Sequence, residues 1–410
     1  MEITAKRSVS FCYIITRVFG VPFWGLLALM PFIIQKELLA PAFYVAVAIA
    51  LKPSAALLSP YWSQWVHARG ERLVRNLFWG NLLKYLPFIF FPLFATPWFC
   101  IASLGVYMVL LRGTMPAWME LLNLHMDKKE QKKLCAAGSM IDYIGALALP
   151  FLFGWALDHF DQAWRYLFPI SGALGMLSCF FIAKLPKTER AQVQEQALNQ
   201  DKDESLILKP WKGGYALLKK RPDFLRFQLG FFLGGAGLML MHSVIPVFTA
   251  TLKLSYKELL MAISLFKGIG FVLSTPLWVK WFAPRRIFTL CSLVILIAAF
   301  FPVLLQGGTS SHFWVYIAYA AYGVMQGGSE LCWKMAGSIF AGKSDSAPFS
   351  SFSVLAVGVR GLIFPFLGTA LLAFTGEVFF VMLLGSMCCF FAAVTLALSR
   401  KSFPVEEHAI

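Results

Sequence analysis

The sequence predicts an all-α integral membrane protein with twelve transmembrane helices in two similar halves. Of its 410 residues, 59% are of hydrophobic type and only 14% are charged, whereas about a quarter of the residues in soluble globular domains are charged. A soluble fold of this size would expose many apolar side chains to water. The composition therefore excludes a soluble enzyme, and it equally excludes a disordered chain or a secreted disulfide scaffold.

Twelve apolar stretches are each long enough to cross the hydrocarbon core of a bilayer, which takes about 20 residues of helix. The alternating pattern of a lipid-facing barrel strand is absent, so helices are predicted. We number these stretches as spans 1 to 12. They cover residues 9–34, 42–66, 73–95, 98–121, 135–157, 164–185, 224–250, 257–282, 286–306, 312–340, 348–373 and 378–399.

Basic residues are distributed unequally between the two sides of the predicted membrane. Of the 36 lysines and arginines, 25 lie in segments on the side of the N-terminus and 4 lie on the opposite side. The positive-inside rule then places both termini in the cytoplasm. The first apolar stretch contains Arg17 and is too long for a cleavable signal peptide. We expect a monomer in the inner cell membrane.

One long polar segment, 186–223, divides the spans six and six. Its stretch TERAQVQEQALNQDKDES is highly charged and is predicted to be mobile. The predicted organisation is a first six-helix half over 1–185, a cytoplasmic central loop over 186–223, and a second half over 224–410 with a short tail.

The two halves match at a fixed offset of 215 residues. The matched residues include types that are rarer in apolar sequence than leucine or alanine, which indicates parallel structural repeats. The matched pairs include Gly20 and Gly235, Lys52 and Lys267, Tyr107 and Tyr322, Trp118 and Trp333, and Pro150 and Pro365.

Two six-helix halves joined by a central loop resemble the major facilitator superfamily of secondary transporters. The family's loop between helices 2 and 3 reads G-x-x-x-D-R-x-G-R-R. The corresponding SQWVHARGER keeps Gly70 and Arg72, with Ser63 and His67 in place of the first glycine and the acid. The resemblance implies two pseudo-symmetric bundles around a central cavity. It also implies a gating loop between spans 2 and 3. Glu120, near the cytoplasmic end of span 4, could snorkel or pair with Arg72 across that loop.

Ten charged residues lie within the predicted spans, where each is costly unless it faces protein, water or a partner. Seven are basic and three are acidic, and nine of the ten lie on spans that line the cavity in the resembled family. Lys84 is the exception. The ten are Arg17, Lys52, Lys84, Arg112, Lys267, Lys334, Arg360, Glu120, Asp142 and Glu330.

The surplus of embedded positive charge predicts an anionic substrate. Lys52 and Lys267 occupy repeat-equivalent positions near mid-bilayer, so we expect them on opposing walls of one cavity. We predict that Lys52, Lys267 and Arg360 bind a carboxylated or phosphorylated organic anion, with help from Arg17 or Arg112. The alternative is that these bases pair with the embedded acids or with helix-end carbonyls.

Asp142 and Glu330 are candidate proton-coupling residues, because a carboxylate in a low dielectric can load and unload a proton near neutral pH. The alternative for these acids is a fixed salt bridge to Arg112 or Lys334. His242 could also titrate during transport, although a membrane histidine more often bridges helices. The coupling stays open between protons and exchange.

Three other functions compete with anion transport. A proton-driven exporter of lipophilic compounds would have an aromatic cavity with one or two acids. A sensor or scaffold that does not transport would carry a larger cytoplasmic module. A membrane enzyme would need a convergent metal or catalytic set, and the six histidines are scattered. We expect no cofactor, no metal and no nucleic-acid partner.

Two glycine-containing patterns favour structural roles. The stretch GSIFAGKS, 337–344, matches a phosphate-binding loop in its letters, but it follows an apolar span rather than a strand. Gly342 is therefore predicted to end span 10. The pairs Gly230/Gly234 and Gly323/Gly327 have the spacing of close helix contacts.

Overall fold

A computed structural model describes residues 2–58, 72–126, 128–185, 209–342 and 347–400. Nearly all of these residues are helical, and none of them is in a strand. Within these ranges, nine helices are long and apolar enough to cross a membrane.

The helices follow the predicted spans, with interruptions inside several of them. We number the α-helices in chain order. They are α1 Glu2–Ala28, α2 Met30–Lys36, α3 Ala42–Ser54, α4 Arg72–Tyr85, α5 Pro97–His125, α6 Lys128–Leu149, α7 Trp155–His159, α8 Trp164–Ile182, α9 Lys209–Lys220, α10 Pro222–His242, α11 Ile245–Thr251, α12 Tyr256–Leu260, α13 Lys267–Trp281, α14 Ile287–Gln306, α15 Phe313–Ala341, α16 Ala347–Thr375 and α17 Val378–Ser399.

Two π-helical turns interrupt spans. Pro150–Gly154 lies between α6 and α7 in span 5, and Met261–Phe266 lies between α12 and α13 in span 8. A π turn holds more residues than an α turn and is often found at functional sites. Short 3₁₀ turns follow α3 at Ala55–Leu58 and α4 at Leu86–Phe90.

The chain forms two compact units. Unit 1 comprises Met1–Leu39, Leu58–Glu204 and Ser255–Leu260, and unit 2 comprises Ala40–Leu57, Ser205–Leu254 and Met261–Ile410. Each unit thus includes a segment that lies outside the corresponding predicted half. In unit 2, α3 of span 2 packs on α16 of span 11, and in unit 1, α12 at the start of span 8 packs on the π turn of span 5.

Unit 1 is built on four helix pairings around an aromatic core. Span 1 packs on spans 5 and 6, and span 3 packs on spans 4 and 6. Phe23 lies at the centre, with ring centroids 4.7 Å from Phe88, 5.0 Å from Tyr107 and 5.8 Å from Phe168.

Unit 2 repeats the same four pairings. Span 7 packs on spans 11 and 12, and span 9 packs on spans 10 and 12. Its core contains Phe224, Phe227, Phe288 and Phe340, with centroid separations of 5.1 to 6.1 Å. The all-helical fold class with two similar halves is therefore confirmed.

Spans 8 and 10 cross with their backbones in contact. A Cβ atom on Gly323 would lie 2.0 Å from the carbonyl oxygen of Lys267, and one on Gly270 would lie 2.1 Å from that of Ala320. The predicted close contact at Gly323 is confirmed, as are those at Gly230, Gly234 and Gly327. Only glycine permits the approach of the two backbones at Gly270 and Gly323.

The end of span 10 is also as predicted. Helix α15 ends at Ala341, and Gly342 follows with a φ of 58°. Glycine in this left-handed conformation is a common helix terminator. The remaining residues of the phosphate-loop look-alike, from 343, lie outside the described ranges.

We expect Gly323→Ala to destabilise the protein by about 1–3 kcal/mol, because overpacking forces the backbones of spans 8 and 10 apart. The matched control is Gly213→Ala, since a Cβ there would meet nothing within 4 Å and alanine is the better helix former. Thermal unfolding in detergent should give a lower midpoint for the first variant only. Equal midpoints would contradict the close crossing.

Candidate functional site

The residues predicted to bind substrate fall into both units. Arg17 and Arg112 belong to unit 1, and Lys52, Lys267 and Arg360 belong to unit 2. The predicted proton-coupling residues are divided in the same way, with Asp142 in unit 1 and Glu330 in unit 2. For the predicted gating loop, Gly70 lies outside the described residues, and Arg72 and Glu120 are placed in α4 and α5 without a described side chain.

Arg17 and Asp142 form an ion pair between spans 1 and 5. Nη1 of Arg17 lies 3.1 Å from Oδ2 of Asp142, and each side chain is 36% exposed. Nη2 of Arg17 donates to the hydroxyl oxygen of Tyr13 at 3.2 Å, one helical turn earlier. The guanidinium thus joins a carboxylate to a phenol. The partner of Asp142 is Arg17, rather than Arg112 or Lys334 as in the alternative to proton coupling.

Arg112 is half-buried on span 4. Among the described side chains, no carboxylate lies within 4.0 Å of its guanidinium. The role of Arg112 in binding substrate therefore stays a prediction.

Lys84, on span 3, is the most deeply buried lysine among the described residues. It is 5% exposed, and its ammonium lies 4.7 Å from the ring centroid of Tyr85 and 5.8 Å from that of Tyr107. No described carboxylate lies within 4.0 Å of it. The faces of the two rings stabilise the cation in place of water.

A second group of charged and aromatic side chains lies in unit 2, which we call the lysine cluster: Lys52, Lys267, His242, Tyr322 and Glu330. Lys267 interacts electrostatically with Lys52 and Glu330, and His242 with both lysines. The ammonium of Lys267 lies 5.8 Å from the ring centroid of Tyr322. The imidazole of His242 meets the same ring edge-on at 5.5 Å. Lys52 is exposed, and the other four members are half-buried.

Local structure explains how Lys267 reaches the cluster. Lys267 is the first residue after the π turn of span 8, and its carbonyl oxygen is the atom that Gly323 packs against. Tyr322 is the neighbour of Gly323, so the crossing that glycine permits also sets the tyrosine ring beside the lysine. The sequence placed Lys52 and Lys267 in one site through the repeat, but it gave no sign of Tyr322 as a cluster member.

Arg360 is held against the backbone of span 7. Its side chain is 9% exposed, and Nη1 donates to the carbonyl oxygen of Phe231 at 2.8 Å. The guanidinium carbon lies 5.1 Å from the ring centroid of Phe231. A Cβ on Gly235 would lie 1.9 Å from Nη1, so glycine makes room for the guanidinium. A carbonyl thus holds the base, as the alternative proposed, but this carbonyl lies within α10 rather than at a helix end.

A further polar junction, which sequence analysis missed, lies within unit 1 at the start of span 8. The carboxylate of Asp158 accepts the backbone N–H groups of Tyr256 at 2.7 Å and Lys257 at 2.9 Å. The hydroxyl of Tyr256 donates to Oε1 of Glu37 at 2.8 Å. We call these contacts the span 8 junction. Its sequence signal is the capping box that begins at Ser255, whose N–H donates to the Glu258 carboxylate at 2.8 Å.

The chain matches the model of a known protein family. The family model described as Major Facilitator Superfamily matches residues 9–365, most of the chain. No curated protein sequence matches the chain.

Several solved structures are similar in fold. The nucleoside transporter NupG is 14% identical with a TM-score of 0.69, and the alignment covers 95% of this chain and 98% of that one. A POT family transporter in complex with 5-aminolevulinic acid is 12% identical with a TM-score of 0.74, and here the coverage is 97% and 96%. Identities this low establish the fold alone.

We expect Arg17→Gln and Asp142→Asn to be coupled by about 0.2–1 kcal/mol in a double-mutant cycle, the range for partly exposed ion pairs. The reason is that either single change leaves the other charge inside the bundle without its ion-pair partner. Unfolding of the four proteins in detergent measures the coupling. A cycle of Arg17→Gln with Asp158→Asn serves as control and should be additive. Additivity in the first cycle would contradict the ion pair.

Proposed function

Because the chain belongs to the Major Facilitator Superfamily, we propose that it carries a small carboxylated or phosphorylated organic anion across the membrane by alternating access. The family and the transporters of similar fold make it a multi-pass membrane transporter rather than an enzyme. In such proteins one half moves against the other around a fixed site near the bilayer midplane. The substrate and its coupling are the parts that we propose.

The lysine cluster is the observation on which the substrate class rests. The ammonium groups of Lys52 and Lys267 are near enough to repel each other, and Glu330 acts on Lys267 with the opposite sign. An anion bound between the lysines would relieve this repulsion, and the low dielectric of the span region strengthens its attraction. Tyr322 supplies an aromatic ring beside Lys267. His242, packed on the same ring, supplies an imidazole that can donate or accept a hydrogen bond.

The other predicted binding residues contribute differently in this proposal. Arg360 commits one nitrogen to Phe231, so we assign it to holding span 11 against span 7 and to the local positive potential. Arg17 and Arg112 remain candidates for contact with substrate from unit 1.

For coupling, we assign the proton to Asp142, with Glu330 as the second candidate. Protonation of Asp142 would remove the charge that Arg17 pairs with at 3.1 Å and would free the guanidinium. Exchange of one anion for another needs no such step. Uptake into vesicles with and without an imposed pH gradient distinguishes the two mechanisms.

The proteins of similar fold have different cargoes, and their likeness to this chain shows the fold alone. The POT family transporter was solved with 5-aminolevulinic acid, a small molecule that carries a carboxylate. The nucleoside transporter of similar fold makes neutral cargo the alternative that an experiment has to exclude.

We expect the double variant Lys52→Gln/Lys267→Gln to bind its anion at least about 100-fold more weakly, because each charged hydrogen bond contributes about 1.5–3 kcal/mol. A thermal-shift panel of carboxylated, phosphorylated and neutral metabolites on the purified protein first identifies the ligand. The same titration on the variant then gives the loss of affinity, and uptake into vesicles tests transport.

The matched control is Lys253→Gln/Lys280→Gln, which removes two exposed lysines of the same half. It should keep the wild-type shift. A panel in which only neutral metabolites or lipophilic cations stabilise the protein would overturn the anion proposal. An undiminished shift in the Lys52/Lys267 variant would overturn the assigned site.

The span 8 junction leads to a prediction about motion. Any rearrangement that separates span 8 from span 5 at this end has to break the two hydrogen bonds to Asp158. Asp158→Ala removes the acceptor, and we expect the amides of 255–260 to exchange hydrogen about fivefold to thirtyfold faster, equivalent to about 1–2 kcal/mol.

Hydrogen–deuterium exchange with mass spectrometry measures this directly. Asp161→Ala is the control, because Asp161 is an exposed acid in the following turn and should leave the exchange of 255–260 unchanged. Unaltered exchange in Asp158→Ala would show that Asp158 does not hold the junction.

A further inference from the structure

Helix α9, Lys209–Lys220, is a basic amphipathic helix that precedes span 7, and we call it the linker helix. Its sequence KPWKGGYALLKK contains four lysines and no acid. The linker helix has no role in the proposed anion transport, so an inference about it can be tested independently of the proposed function.

The inner face of the linker helix packs against unit 2. A Cβ on Gly214 would lie 2.5 Å from the ring of Phe352, so the helix backbone rests directly on that ring. Leu217 and Leu218 pack against the buried core that contains Phe224. These contacts fix the rotation of the helix about its own axis, and hence the direction of the other described side chains, from Trp211 to Lys220.

Two aromatic residues form one edge of the helix. Trp211 is 40% exposed and Tyr215 is 71% exposed. They are one turn apart, so they lie on the same side. Indole and phenol rings with an apolar body and a polar end favour the membrane–water interface. An edge of this kind on a helix next to a span is typical of a helix that lies in the interface plane.

The basic residues continue from the aromatic edge. Lys212 directly follows Trp211, and Lys219 lies one turn beyond Tyr215, with Lys220 next to it. All three lysines are exposed. At 100° per residue, Lys212 and Lys219 lie within about 60° of Tyr215 around the helix and face away from Leu217 and Leu218. Rings at the interface thus bring these two lysines to the level of the lipid headgroups.

We propose that the linker helix lies in the headgroup layer and binds anionic phospholipid headgroups through Lys212 and Lys219, with Trp211 and Tyr215 inserted at the interface. Charge complementarity decides the occupant, because the exposed surface is basic and a juxtamembrane basic cluster attracts anionic lipid. Each lysine contributes about fivefold to lipid affinity. The bound lipid fastens the linker to span 7.

The first test measures thermal unfolding of the purified full chain in detergent while phosphatidylglycerol or phosphatidylcholine is added. The wild type should be stabilised by phosphatidylglycerol and not by phosphatidylcholine. Lys212→Gln/Lys219→Gln should need about 25-fold more phosphatidylglycerol for the same shift. Lys253→Gln/Lys257→Gln, two exposed lysines elsewhere, should respond as the wild type does.

The second test needs no substitution. Hydrogen–deuterium exchange of the full chain in nanodiscs should show slower exchange over 209–220 with phosphatidylglycerol than with phosphatidylcholine. Equal exchange in the two lipids would overturn the proposal, as would an unchanged lipid response in Lys212→Gln/Lys219→Gln. In the first test, a shift from inorganic phosphate that Lys212→Gln/Lys219→Gln abolishes would assign these lysines to a soluble anion instead and would also overturn the proposal.

Discussion

A positive charge within the hydrocarbon layer has to be solvated by the protein itself, and this requirement explains how the spans of each unit are fitted together. The chain meets it in different ways. Arg17 takes the carboxylate of Asp142. Arg360 takes a backbone carbonyl and a ring. Lys84 takes two tyrosine rings, and Lys267 takes one ring together with an acid nearby. A base held by a carbonyl or a ring, such as Arg360, is anchored within its own unit. The attraction for an anionic cargo is proposed for Lys52 and Lys267, which interact with each other.

Glycine makes these arrangements sterically possible. Repeat-equivalent glycines on spans 1 and 7 each admit a polar group from a neighbouring helix: a Cβ would lie 3.2 Å from the Tyr85 hydroxyl at Gly20 and 1.9 Å from Arg360 at Gly235. The repeat therefore preserves the space while the group that fills it differs. Tyr107 and Tyr322 follow the same rule, since each has an ammonium 5.8 Å from its ring centroid, from Lys84 in one unit and Lys267 in the other.

Features that depend on one helix, or on the repeat, could be predicted from the sequence. Span positions follow from apolar length, the end of span 10 follows from Gly342, and the family follows from topology. Partner choice could not be predicted, because it depends on the rotation of packed helices. Asp142 pairs with Arg17 because spans 1 and 5 present these residues to each other, and nothing in their spacing encodes that rotation. The orientation of the linker helix could not be predicted for a similar reason, because its inner face is defined by the packing of Gly214 on Phe352.

The π turn at Met261–Phe266 gives Lys267 a direction that an unbroken α-helix would not. One residue corresponds to about 100° of rotation around a helix axis. If span 8 were regular up to Lys267, the ammonium would point away from Tyr322 by roughly a quarter turn or more, although the amino-acid sequence on either side would be the same. The orientation of Lys267 therefore depends on the number of residues in the turn that precedes it as well as on their types. A single deletion in 261–266 would rotate Lys267 by about 100° relative to the residues that precede the π turn.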